Sequence, residues 1–82
     1  MNVTIIDDQG THLLIKDESQ YAVIERRQNH FYNCHDEKRQ GVGDLSGVDK
    51  ILDDSDWTDQ QTAQTMFDDV VARGNELAQR MR

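Results

Sequence analysis

The last third of the chain most restricts what it can fold into. Between Asp56 and Arg82 the apolar positions are Ala63, Met66, Phe67, Val70, Val71, Leu77, Ala78 and Met81. At roughly 100° per residue these fall within one arc of about 140°. Asp59, Gln60, Gln64, Asp68, Asp69, Arg73, Glu76 and Arg80 fill the remaining circumference. The pattern predicts a long amphipathic helix with one solvated face and one that must lie on a sheet or another helix. Thr58-x-x-Gln61 has the spacing of a capping box at its start, with Ser55 or Asp56 as a cap one turn earlier. Acids near that end suit the positive pole of the helix dipole. Gly74 stands near the centre of the apolar arc, where glycine costs roughly 1 kcal/mol relative to Ala. Because Leu77, Ala78 and Met81 continue the stripe in phase, the expectation is a close crossing of another element at Gly74.

Such a helix needs a partner layer, and the first 34 residues supply one. Residues 2–6 and 11–16 are rich in β-branched and aliphatic side chains, and Asp7-Asp8-Gln9-Gly10 between them has turn composition. A two- or four-residue turn there pairs Ile6 with Thr11, Thr4 with Leu13 and Val3 with Leu14. After a polar break at 17–19, residues 20–27 and 30–34 form a second pair of strands around Gln28-Asn29. From 35 to 47 the chain is polar and holds Gly41, Gly43 and Gly47, which predicts an exposed loop. Val48, Ile51 and Leu52 then predict a short helix over 47–53 with Ser46 as its N-cap. The expected fold is α+β in a single small domain, residues 1–82. A four-stranded, mainly antiparallel sheet made of two hairpins in residues 2–34 is followed by the short helix and by the long C-terminal amphipathic helix packed on one face.

A chain of this length buries only about 60 to 65 % of the surface its unfolded form exposes. With 35 % of residues hydrophobic, that suffices for thin layers but leaves little for a deep substrate pocket. No apolar run is long enough to span a bilayer, and no basic then apolar leader opens the sequence, so the expected location is soluble and cytoplasmic. The lone Cys34 fits a reducing compartment. The formal charge is −7, which opposes binding to nucleic acid or anionic lipid. It is concentrated: Asp44, Asp49, Asp53, Asp54, Asp56, Asp59, Asp68 and Asp69 are relieved only by Lys50.

No group of residues makes a strong chemical site. His30, Cys34 and His35 are ligand types that zinc accepts, but alternation along a strand puts His35 on the opposite side, and no second cluster completes four-coordination. Cys34 with His12 or His35 could form a nucleophilic pair, yet nothing supplies an orienting third group. Asp54, Asp56 and Thr58 imitate the first half of a calcium loop that lacks its turn glycine and closing glutamate. Arg26, Arg27, Lys38 and Arg39 flank Phe31 and Tyr32 in the manner of a strand surface for single-stranded nucleic acid, but Glu25, Asp36 and Glu37 offset them. No catalytic, cofactor-binding or metal-binding residue is therefore assigned.

The expectation is a small acidic, non-enzymatic protein-interaction module. One alternative is an acidic inhibitor that mimics a phosphate backbone before a nucleic-acid-binding protein. A lower one is an enzyme with a site formed at a dimer interface. Both faces of both hairpins carry apolar side chains: Ile6, Leu13 and Ile15 on one side of the first, Val3, Ile5 and Leu14 on the other. In the second, Ala22, Ile24 and Phe31 oppose Tyr21, Val23, Tyr32 and Cys34. One helix covers one face, so the other predicts a homodimer or another protein partner docked on the open sheet face. The candidate interaction residues are Ile5 and Leu14 on the sheet and Asp53, Asp54, Asp56 and Asp59 on the acidic stretch.

Overall fold

The computed structural model describes residues 3–34 and 41–80, with side chains through Gly74. The short aliphatic runs become strands that follow one another across a single sheet. β1 (Val3–Asp8), β2 (His12–Asp17), β3 (Gln20–Arg27), β4 (His30–Asn33) and β5 (Gly41–Val42) lie in sequence order, each antiparallel to its neighbours. The α+β class holds, with five strands rather than the expected four. The polar break at 17–19 is itself a hairpin, since Asp17 pairs with Gln20 around Glu18-Ser19 and Glu18 adopts a φ of 55°. At the next turn Gln28 and Asn29 have φ of 52° and 66°, the two positive angles a type I′ turn requires.

β5 arises inside the stretch expected to be loop. Val42 lies opposite Phe31 and Gly41 opposite Tyr32. A β-carbon on Gly41 would come within 2.6 Å of the Tyr32 ring, so the missing side chain is what lets that ring lie across the strand. Two residues carry no alternation to read. Residues 35–40 of the expected loop lie outside the described residues.

The register of β1 also differs from expectation. Val3, Thr4 and Ile5 pair with Asp17, Lys16 and Ile15, the register shifts at Ile6, and Asp7 and Asp8 then pair with Leu14 and Leu13. Val3 and Ile5 therefore share the face of Leu13 and Ile15 rather than that of Leu14. The cause is a bulge combined with a turn that falls two residues later in the chain. Gly10 takes a φ of 87° and donates its N–H to Asp8 Oδ1 at 2.8 Å, while the Gln9 N–H reaches the His12 carbonyl at 3.0 Å. Arg26 of β3 pins this turn, donating to the Gly10 carbonyl at 3.0 Å and to Asp8 Oδ1 at 2.8 Å.

The core lies on both sides of β2 and β3. Leu13, Ile15, Ala22 and Ile24 pack with Val48 and Leu52, bordered by Val3, Phe31, Val42, Leu45, Ile51 and Trp57. Leu14 and Val23 face the other way and pack with Ala63 and Phe67, bordered by Tyr21, Cys34, Met66, Val70 and Val71. The continuous apolar runs of these strands are thus explained by burial on both faces. The first covering is irregular. A 3-10 segment, Leu45–Lys50, replaces the expected helix at 47–53, and Asp44 stands at its N-cap position rather than Ser46. A second 3-10 turn, Asp54–Asp56, carries a capping box with Asp53.

The second covering is α1 (Gln60–Arg80), which packs on β2 and β3. It begins one residue later than the Thr58/Gln61 pattern predicts. The Ala63 N–H bonds to the Asp59 carbonyl at 3.1 Å, and the Asp59 carboxylate accepts from the Thr62 hydroxyl and N–H. Ala63 and Phe67 are its buried members, with Met66 and Val70 half-buried. Met81 and the side chain of Leu77, also expected in the core, lie outside the described residues. Among the described residues the close crossing expected at Gly74 is absent: none of them stands within 4 Å of where its β-carbon would be.

Candidate functional site

Residues 53–59 carry the chain from one face of the sheet to the other. Trp57 packs against the Leu13 and Ile15 side, and Thr58 then exchanges two backbone hydrogen bonds with Tyr21, both 2.8 Å. β4 pairs with β3 only from Ile24 onward, so Thr58 occupies the part of the β3 edge that β4 leaves open. Asp59 follows as the cap of α1. Asn33, 8 % exposed, ties β4 to this segment by donating its amide to the Ile51 carbonyl at 3.0 Å and to Asp56 Oδ2 at 3.1 Å. Asp56 Oδ2 also accepts the Asp53 N–H at 2.8 Å. Where these restraints meet the start of α1 they leave a cavity of about 200 Å³, lined by Val23, Ser55, Asp56, Thr58, Thr62 and Met66.

The acidic stretch is largely a surface. Asp44, Asp49, Asp53, Asp54, Asp59, Asp68 and Asp69 are exposed and Asp56 is half-buried. Of the four predicted interaction acids, Asp53 and Asp56 build the capping box and Asp59 caps the helix. The hydroxyl of Thr62 first, then the hydroxyl of Thr58 and the Thr62 N–H, hold the Asp59 carboxyl below its ordinary pKa against the opposing effect of desolvation. Hydrogen bonds of this kind favour the anion, so the Asp59 cap retains its negative charge. Along the helix, Asp68 accepts from Gln64 at 2.9 Å and Asp69 pairs with Arg73 at 3.1 Å.

The sheet candidates separate. Leu14 is fully buried against Ala63 and Phe67, so it belongs to the core and its predicted place on an open face is corrected: α1 covers it. Neither face of β2 and β3 is open, because 45–57 covers the other. Ile5 remains at the surface. It and Ile6, 40 % and 45 % exposed, both lie on β1, the outer strand of the sheet.

Among the described residues the chemical groupings do not assemble. His30 is exposed, its Nδ1 3.1 Å from the Gln28 carbonyl, and His12 Nδ1 lies 3.0 Å from the Thr11 hydroxyl. Half-buried Cys34 has its Sγ 3.6 Å from the Val23 carbonyl, and His35 lies outside the described residues. Among the described residues no three ligand-type side chains cluster. Arg26 and Arg27 pair with Asp8 and Glu25, while Lys38 and Arg39 fall outside the description. No described helix is long and apolar enough to cross a membrane. The cavity residues Val23, Thr62 and Met66 carried no functional signal in the sequence, because the cavity exists only where the 53–59 crossover meets α1. Comparison with protein-family models, with curated proteins and with solved structures finds no match for the chain.

Proposed function

We propose that the protein is a small non-enzymatic interaction module that presents the acidic surface of residues 44–69 to a basic partner protein. The observation that carries this reading is the exposure of seven of the eight aspartates in that stretch. They sit on capped turns and on a helix, so little ordering is needed when a partner arrives. Like-charged groups crowded on one surface raise the local potential and speed the encounter with a cationic patch. A partner that itself binds nucleic acid would make the surface a mimic of a phosphate backbone. Asp53→Asn, Asp54→Asn and Asp59→Asn combined tests the reading, because Asn retains an N-cap while removing charge. Binding of a decalysine peptide should weaken, mainly through slower association, and its salt dependence should become shallower. Binding that ignores both salt and the triple substitution removes the proposal.

A second reading rests on Ile5 and Ile6. An edge strand with exposed aliphatic side chains can pair with a second copy, and β1 lies about 19 Å from β5 across four strand spacings. Asp44 and Asp49, in the segment that packs on β4 and β5, are then more than a Debye length of about 8 Å from that edge. Light scattering of wild type and Ile5→Lys decides it: a dimer that the substitution dissociates supports self-pairing, and a monomer at high concentration ends it.

A further inference from the structure

We propose that the cavity between β3, the 54–56 turn and the first turns of α1 receives a lysine side chain from the basic partner, an inference that rests on the acidic-surface reading. The cavity, not the charge, carries it: the same acids on a flat surface would select no particular side chain. At about 200 Å³ it is smaller than the roughly 300 to 1,000 Å³ of small-molecule sites, so it suits one long side chain rather than a cofactor. Its lining is divided. Val23 and Met66 are apolar residues, while Asp56, Ser55, Thr58 and Thr62 are polar ones whose side chains carry a carboxylate and hydroxyls. A lysine buries a hydrocarbon stem and keeps its charged head among polar groups, which matches both halves.

Two alternatives fit less well. Arginine reads carboxylates through two parallel bonds to both oxygens, but Asp56 Oδ2 already accepts from Asn33 and from the Asp53 N–H. An ammonium has three freely turning donors and can use scattered hydroxyls. An anion at the α1 N-terminus would gain from about half a positive charge of helix dipole, yet it would share the cavity with the acidic Asp56. The cation is favoured. The walls are also set in advance, by the Tyr21 and Thr58 pairing, the Asp53 and Asp56 capping box and the Asn33 amide. A side chain entering there orders no loop.

The experiment is an NMR titration of the full chain with n-butylammonium, with n-butanol as the uncharged control and decalysine as the peptide probe. Butylammonium should give saturable shifts at Val23, Thr58, Thr62 and Met66 that butanol does not reproduce, and decalysine should move the same signals. Ser55→Leu, which narrows the cavity from an exposed position, should lower decalysine affinity several-fold. The wild-type titrations need no variant to fold. Equal responses to butylammonium and butanol, or no saturable shift at these residues, overturn the inference. If decalysine still binds in a salt-dependent way and Ser55→Leu leaves its affinity unchanged, the cavity is excluded while the acidic surface stands. No decalysine binding removes both.

Discussion

The same two strands are buried on opposite sides by coverings that share no geometry. On one side α1 lays Ala63 and Phe67 over Leu14 and Val23, and on the other Val48 and Leu52 from an irregular segment seal Leu13, Ile15, Ala22 and Ile24. Both sides leave their central residues almost wholly inaccessible. The helix satisfies its own backbone and needs only an apolar stripe to dock. The 45–57 segment satisfies its backbone piecemeal, through 3-10 turns, a capping box, the Asn33 amide and the Thr58 pairing. One side should therefore respond to lost apolar volume alone, and the other to lost volume and to lost polar links.

The strongest test of that contrast compares Phe67→Ala with Ile24→Ala. Phe67→Ala should cost about 3 to 5 kcal/mol and Ile24→Ala about 2 to 5 kcal/mol in chemical denaturation, because each empties a filled site. A much smaller cost at Ile24 alone would mean that the irregular side is a loose drape rather than half of the core. Asn33→Ala comes next, at about 1 to 3 kcal/mol, since it removes two part-buried hydrogen bonds, one to the Ile51 carbonyl and one to Asp56 Oδ2, which keeps the Asp53 N–H. A neutral result would show that water replaces the amide and that the irregular side rests on apolar contact after all.

The remaining effects concern the helix alone. Gly74→Ala should raise the thermal midpoint by the equivalent of about 1 kcal/mol, as no described residue obstructs the added methyl. A loss of stability would reveal a contact there. Last is the cap: Asp59 has its pKa lowered by the Thr62 and Thr58 hydrogen bonds, so its contribution is present above the ordinary carboxylate range and is lost as pH falls through the lowered value. Asp59→Asn should flatten this part of the acid limb of a stability profile, and an unchanged profile would show that the cap does not titrate with folding.

The contrast also explains what could be read from the sequence. The helix was legible because Ala63, Met66, Phe67, Val70 and Val71 repeat at a fixed angle, and the apolar character of both sheet faces was legible from Leu13-Leu14-Ile15 and Ala22-Val23-Ile24. One of those faces was expected to be open, and both are covered. The irregular covering was only partly visible in Val48, Ile51 and Leu52. Its shape depends on Asn33 meeting Ile51 and Asp56, a meeting of distant residues that no local period announces. The same holds for β1, whose faces were misassigned because one bulged residue at Ile6 reverses the alternation beyond it. The acids of 53–59 were recognised as helix-start residues, but the cavity behind them needs Val23 and Met66 brought together by the fold.

The pairing of Tyr21 with Thr58 bears on the order of events during folding. Each hairpin of the sheet closes a short loop and can form within microseconds, whereas the Tyr21 and Thr58 bonds must wait until everything between them has found its place. The bridge is a latch that closes late, and it closes at the point where the chain passes from one side of the sheet to the other. A ribosome making this chain would thus emit a sheet whose Leu14 and Val23 face stays bare until the segment from Thr58 onward arrives, and the interval before the latch shuts is when the molecule is most open to unwanted association.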